Sequence, residues 1–599
     1  MILWSIESPK SDGTITVCWV SSRWSLRWNR KIILAMIDNA GSGGNDRQIE
    51  VKHLAALGLL IFFLLIFGTW KLPLIGPDEP RYAEIGYAMA ESGDWITPRL
   101  GGIEWFEKPA VTYWLAASGF KLLGRSEFAA RLGIGLTGGL GVLLLYLVGT
   151  RLRSSRFGYQ SGAVLASSGI WLGFSRVATF DLPLAVSMEL ALIAYLFWDR
   201  QTTARRQWLC WTIFSLGLGL AMLAKGLVGL VLPAAIVTLH ALLTGSLRRL
   251  LHPGRLLLAL VIFLATSSVW YGPMIARHGQ TFIDEFFIAH HFQRYLTNQY
   301  RHPQPGWFFL VIAVAGCFPW IYPLLMRVAR SVRRWRSFKD GQDGRLELFV
   351  WIWAIVPIIF FSFSVSKLPG YILPVFPALA MLIAWQLEDW MDEAVPSRGQ
   401  LVSVLLTVTT IFMLGVMIGL RGANLIGLDK FSAFRLAGIG ILVSVAFMLI
   451  WFLLNIRAAA GFLPFGFALI VMAIVNIVSP VLAERETLKS LGELATSLAR
   501  PDERLVFYIN SNHRINFYAT ELPLRDQKSY FVTIIDQAEI PRLIDKYGGE
   551  SILVLAQRQW SSRLRDDGVV KVEVLGEQRG PVKCAPRCDM VLMRARKLP

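Results

Sequence analysis

The chain has 599 residues, 54% hydrophobic and 17% charged, with a formal net charge of +18. A soluble domain carries roughly 25% charged residues, so this composition excludes an ordinary soluble protein and indicates an integral membrane protein. The basic residues are spread over short connections and not gathered into one basic domain, which excludes nucleic acid as the partner and follows membrane topology instead.

Residues 1–50 are expected to be a poorly structured cytoplasmic extension: "KIILAMI" is too short to span, and Met36 is an alternative start. A span needs about 20 apolar residues. Candidates fall near 54–73, 131–150, 160–176, 181–198, 208–224, 226–245, 255–275, 306–326, 347–364, 370–388, 401–420, 433–454 and 460–482. The predicted fold is therefore a polytopic α-helical membrane domain, residues 51–483, of about 13 transmembrane helices, with a first extracytoplasmic loop at 74–130. Within that loop the apolar run 110–123 is too short to cross and reads as an interfacial helix.

Arginines mark one side of the membrane: Arg151, Arg153 and Arg156, then Arg200, Arg205 and Arg206, then Arg248, Arg249 and Arg255, then the run "RVARSVRRWRSFKDGQDGR" at 327–345. By the positive-inside rule these connections are cytoplasmic. With an odd number of spans, the tail 484–599 is extracytoplasmic. "RLVFYI", "YFVTII", "SILVLA" and "VVKVEVL" read as its strands, and "TLKSLGELATSLA" and "IPRLIDKYG" as its helices, giving a soluble α/β domain. Cys210 and Cys317 lie in apolar segments and read as packing residues, whereas Cys584 and Cys588 of the tail either pair in an oxidising compartment or stay free thiols.

The opposite connections carry the unusual chemistry. The first loop holds Asp78, Glu79, Arg81, Glu104, Glu107 and Lys108 among Trp, Tyr and Phe. "FSRVATFDLPLA" supplies Arg176 and Asp181, "LAKG" supplies Lys225, and "SVSKLPGYILP" supplies Lys367 and Tyr371. The loop 276–305 adds Asp284, Glu285, His290, His291, Arg294 and Tyr295. Singly, each has an ordinary reading: Asp78 and Asp181 as helix caps, Lys225 and Lys367 as snorkelling lysines, Glu107–Lys108 as an exposed ion pair. Neighbouring His290 and His291 point to different helix faces, so at most one faces a shared site. Their convergence on one membrane face points to a site for an anionic substrate, since ionisable groups near hydrocarbon are costly and usually line a functional cavity.

Taken together, "DEPRYAE", "WITPRLGG", "FEKP", "FDLPLA", "HFQRYL" and "SKLPGYILPVFPALA" resemble the bacterial family of the lipid A aminoarabinose transferases, related to the protein O-mannosyltransferases. The resemblance is strong over about 54–390 and architectural beyond; "HRINFYATELP", 421–432 and the N-terminal extension depart from it. It implies a GT-C glycosyltransferase of the inner membrane, with a periplasmic site and a polyprenyl-phosphate-linked sugar donor. The implied acceptor is lipid A or another envelope glycolipid. It implies Asp78 and Asp181 as the catalytic acids, and Arg81, Lys108 and Tyr371, with Tyr82 and Lys225, around the donor phosphate. Glu107 and His291 would hold a divalent metal, zinc being the expected ion. Displacement in one step predicts inversion at the anomeric carbon. The rival enzyme is a protein O-mannosyltransferase using lipid-linked mannose. A lipid or sugar transporter predicts internal repeats and midplane polar groups, which the pattern lacks.

Overall fold

In a computed structural model, the structure describes residues 44–76, 78–293, 303–335, 338, 341–509, 515, 517–519, 532–547, 549–566, 569–579 and 589–597. Two compact units divide at Leu54 and Ala55; the described part of the first is the start of helix α1 (Gly44–Leu60). Most of the predicted extension, and Cys584 and Cys588, lie outside the described residues.

In the second unit α1 runs into a π-helical turn, Ile61–Ile66. The first loop follows, built from α2 (Asp78–Ser92), a hairpin of β1 (Arg99–Leu100) and β2 (Ile103–Glu104), and α3 (Val111–Leu123). The hairpin turns on Gly101 and Gly102, whose positive φ values of 61° and 83° suit glycine. α3 is the short helix expected at 110–123. The membrane helices are α4 (Glu127–Leu152), the broken pair α5 (Ser155–Ser167) and α6 (Gly169–Ser175), α7 (Asp181–Arg200), α8 (Ala204–Lys225) and α9 (Val228–Leu243). After a one-turn helix, α10 (Leu247–Leu250), comes α11 (Pro253–Phe282), which continues as a π-helical stretch, Ile283–Gln293. Then follow α12 (Phe308–Gly316), α13 (Ile321–Arg334), α14 (Gly341–Ser362), a 3₁₀ segment Pro369–Val375, α15 (Phe376–Asp392), α16 (Arg398–Ile426), α17 (Lys430–Leu453) and α18 (Ile456–Ile477).

Among the described residues ten helices are long and apolar enough to cross a membrane, eleven if the pair α12 and α13, bent by 118°, counts as one. The expected thirteen included 160–176 and 226–245. The first is split at Ser168, whose extended ψ of 127° interrupts the helix, and the second is only the 16-residue α9. The protein is a multi-pass membrane protein. Its central helix is α15, buried along almost its whole length, and packing rather than hydropathy alone sets it apart from the lipid-facing α16 and α17.

The basic connections come together at one end. Arg153 binds Glu388 and, at 3.0 Å, Asp343. Arg327 meets Glu347 at 2.6 Å and Asp389 at 3.0 Å, and Arg330 meets Asp389 and Glu393 at 3.0 and 2.8 Å. Part of the basic bias of 327–345 is thus matched by acids at the α15 end. Cys210 and Cys317 are buried and free, as packing residues should be.

Beyond α19 (Ser479–Glu486) and α20 (Lys489–Leu498), the tail forms a five-stranded sheet. Its strands are β3 (Leu505–Tyr508), β4 (Thr533–Ile534), β5 (Ser551–Gln557), β6 (Val570–Gln578) and β7 (Met590–Lys597), in the order β4-β3-β5-β7-β6. β3 pairs parallel with β4 and β5, and β7 pairs antiparallel with β5 and β6. The apolar run of β5 is central because helices cover both faces: Leu491 and Ala495 of α20 on one, Ile540 and Ile544 of α21 (Glu539–Tyr547) on the other, with α22 (Arg558–Asp566) alongside. β7 and α22 were not foreseen. The tail lies at the same face as the first loop, since Phe517 stacks on Phe120 of α3 with centroids 5.8 Å apart.

Candidate functional site

The N-terminus of α2 is set by a buried ion pair. Glu79 and Arg131, at the start of α4, are each 1% exposed. Glu79 Oε1 and Oε2 accept from Arg131 Nε at 2.6 Å and Nη2 at 2.7 Å. The same carboxylate accepts the backbone N–H of Ile75 at 2.8 Å and of Ala178 at 2.9 Å, while Arg131 donates to the carbonyls of Thr69, Leu72 and Pro73. Two chain segments, the one leading to Asp78 and the one leading to Asp181, are therefore fixed to one carboxylate. A buried pair so fully hydrogen-bonded offsets the cost of desolvating both charges.

Asp78, half-exposed at 53%, accepts from the Arg81 guanidinium, and among the described residues no α2 amide caps onto it. Its reading as a helix cap gives way to one as an ion partner. Arg81 reaches Glu107 at 3.9 Å, and Lys108 Nζ donates to Glu107 Oε1 at 2.8 Å. The Arg81 guanidinium also lies over the rings of Tyr82 and Trp105, at 5.6 and 5.3 Å. Burial works against the Arg81 charge, yet neighbouring Tyr82, Glu107 and Asp78 hold its pKa above the ordinary value. Asp78, Arg81, Tyr82, Glu107 and Lys108 thus form one group, as the first loop suggested. The segment leading into the hairpin, which Trp105 and Glu107 follow, is pinned on α11: Arg277 binds Asp94 at 2.7 Å, and Trp270 Nε1 donates to the Ile96 carbonyl at 2.8 Å.

A second group assembles from three distant segments. Lys225, at the end of α8, binds Asp181, at the start of α7, and its ammonium lies 4.6 Å from the centre of the Tyr371 ring. Asp181 caps no α7 amide either; its N-cap position is Phe180, which makes no side-chain cap bond. Gly370 beside Tyr371 is required by space: a Cβ there would lie 2.5 Å from Asp181 Oδ2. Aromatic rings join the groups, since Tyr82 meets Phe180 edge-on at 4.7 Å and both pack on Tyr113. Burial pushes the Tyr113 phenol well above its usual range, so it stays neutral.

Other predicted residues fall elsewhere. Arg176 caps the π-helical turn through the carbonyls of Leu64 and Phe67, at 2.8 and 2.7 Å. Lys367 is buried and donates to the Ser364 carbonyl, so it does not snorkel. Asp284 is exposed and takes the Gln280 amide. The side chains of His290 and His291, and residues Arg294 and Tyr295, lie outside the described residues. Among the described residues no group of three or more His, Cys, Asp and Glu could hold a metal. Glu107, already paired with Lys108 and Arg81, is by itself short of the usual three or four donors, so no step below is routed through a metal. Glu79, Arg131 and Gly370 were missed; an arginine at the head of an apolar span was the available signal.

The family model described as dolichyl-phosphate-mannose-protein mannosyltransferase matches residues 54–271. The undecaprenyl phosphate-α-4-amino-4-deoxy-L-arabinose arabinosyl transferase of Pectobacterium carotovorum is 31% identical over 353 residues, 58% of this chain and 61% of that protein. Its counterpart in Pseudomonas aeruginosa is 32% identical over 359 residues, 59% and 62% of the two chains. The chain thus spans about three fifths of the length of the curated relatives it matches. The crystal structure of ArnT from Cupriavidus metallidurans bound to undecaprenyl phosphate superposes with a TM-score of 0.72 at 23% identity, covering 91% of this chain and 97% of that one. The fold is that of this transferase structure. The likeness of fold covers 91% of the chain and so reaches into the tail, where the motifs were weak.

Proposed function

We propose that the protein is an inverting glycosyltransferase that moves a sugar from a polyprenyl-phosphate donor to lipid A or another envelope glycolipid, at the periplasmic face of the inner membrane. The observation that carries this reading is the pair of linked ion groups, Asp78–Arg81–Glu107–Lys108 and Asp181–Lys225–Tyr371, at one end of the helices. The donor's isoprenoid tail lies in the bilayer, and its phosphate meets the cations Arg81, Lys108 and Lys225 at the surface. The acceptor oxygen's lone pair forms the new bond to the anomeric carbon as the bond to the phosphate breaks. The electron pair leaves on the polyprenyl phosphate, where cations held in place before reaction stabilise it best. The configuration inverts. With a hydroxyl acceptor the proton passes to Asp78; with a phosphate acceptor no base is needed, and Asp78 orients the sugar.

The family match at 54–271 favours protein O-mannosylation as a second reading. Glu107 and His291 are the residues that would hold a divalent ion in either case; such an ion would supply Lewis-acid charge at the phosphate. Purified protein given a panel of polyprenyl-phosphate sugars, with lipid A and with hydroxyl acceptors, tests the proposal. Turnover is expected, and Asp78→Asn is expected to abolish it with hydroxyl acceptors. Turnover that survives Asp78→Asn with every acceptor removes Asp78 from the reaction. Substrate flux in vesicles without turnover favours a transporter.

A further inference from the structure

Among the described residues the tail domain meets the first loop around Phe517 and Tyr518. Tyr518 Oη accepts the backbone N–H of Leu74 at 2.7 Å, across 444 residues of sequence. Its neighbour Phe517 stacks on Phe120, and the Phe517 carbonyl accepts from Arg125, whose guanidinium lies over both Phe517 and Tyr87, at 4.9 and 4.6 Å. Lys489 of α20 binds Glu127 at 2.5 Å, and Tyr518 Oη lies 3.5 Å from the same carboxylate. These contacts use the α2–α3 core directly, for Phe517 is buried in the same cluster as Tyr82, Tyr113 and Phe180. The tail residues that make them, Lys489, Phe517 and Tyr518, lie outside residues 54–271, which the family model matches.

The position of the Leu74 bond gives it a consequence. The next amide, Ile75 N–H, is held by Glu79, so two consecutive amides are anchored, one by the tail and one by the buried ion pair. Asp78 follows three residues later. A short segment fixed at consecutive amides has little freedom left, and a misplacement near 1 Å at a reacting group costs on the order of 100-fold in rate. We infer that Tyr518 is a positioning residue: the tail domain sets the approach of Asp78 to the reacting atoms by holding the Leu74 amide. This inference rests on the transferase reading above.

Tyr518→Phe in the full-length protein keeps the ring in its cluster and removes only the hydroxyl, which accepts from Leu74 and makes the longer contact to Glu127. The net worth of one hydrogen bond corresponds to about three- to tenfold in an opening equilibrium. Hydrogen–deuterium exchange of the Leu74 amide is therefore expected to quicken by about that factor, with exchange in β5 and the melting temperature unchanged. The kcat is expected to fall at least threefold, with the KM for the lipid-linked donor unchanged. Arg125→Gln, which loosens the same contact from the loop side, is expected to give the same signature. Unchanged Leu74 exchange, or faster exchange with kcat unchanged, would overturn the inference, as would loss of activity that merely tracks a lower melting temperature. No turnover by the unmodified protein with any donor would overturn the transferase reading, and the inference with it. Turnover that Tyr518→Phe leaves intact would overturn the inference alone.

Discussion

Replacing Glu79 by Gln tests whether the buried ion pair organises the site. The substitution keeps the shape and one acceptor oxygen but replaces the other, which receives Arg131 Nη2 at 2.7 Å and the Ile75 amide at 2.8 Å, by an amide that can only donate. Arg131, 1% exposed, keeps the carbonyls of Thr69, Leu72 and Pro73 but loses its counter-charge. Breaking a buried pair from one side costs about 3–5 kcal/mol, and the three backbone carbonyls argue for the lower end, about 3 kcal/mol. Reversible denaturant unfolding of purified protein, followed by tryptophan fluorescence, reads this as a drop in midpoint at unchanged slope. Arg131→Met is expected to be comparably damaging. The double variant should be less destabilised than the sum of the singles, because the second change removes the stranded charge. A double variant equal to that sum, or a Glu79→Gln loss below 1 kcal/mol, would refute the argument that these groups act as one unit.

Gly370→Ala is expected to lower kcat at least tenfold with little loss of stability, measured by turnover beside thermal unfolding, because its Cβ would lie 2.5 Å from Asp181 Oδ2 and 2.7 Å from Phe174. In the tail, burial raises the Glu503 carboxyl, but hydrogen bonds from Arg594 and Ser551 outweigh it and hold the pKa below the ordinary 4.5. Glu503 therefore stabilises the domain above the unfolded pKa and loses that contribution as pH falls through the lower folded value. Thermal unfolding against pH should show the wild-type domain losing stability below about pH 4.5 and Arg594→Met showing a smaller loss there. If the metal reading holds, a chelator should lower activity and zinc should restore it, and Glu107→Gln should reduce bound metal measured by mass spectrometry.

The polytopic class, the short helix of the first loop, the basic side and the face that gathers acids and cations were all legible in the order of residues. Each depends on local properties: hydropathy over about 20 residues, charge in short loops, and helix or strand periodicity. Asp78, Arg81, Glu107 and Lys108 lie within one loop, and their motifs placed them together before any fold was known. The number of helices long and apolar enough to cross departs from the expected thirteen where the backbone breaks at Ser168, where α9 is short, and at the bend between α12 and α13.

Partnerships between distant segments were decided by the tertiary structure. In sequence, Glu79 and Asp78 are adjacent acids with no visible difference; burial against Arg131 makes one structural and leaves the other half-exposed. Lys225 and Asp181 read as a boundary lysine and a helix cap until packing of α7 against α8 joins them beneath Tyr371. Tyr518 lay in a weakly matching tail, and only the docking of that domain brings its hydroxyl to Leu74. Hydropathy and loop charge act along the chain and can be read there. The bonds that join distant segments at the site, Lys225 to Asp181, Arg131 to Glu79 and Leu74 to Tyr518, form between groups 44 to 444 residues apart, and no local pattern encodes which partners will meet.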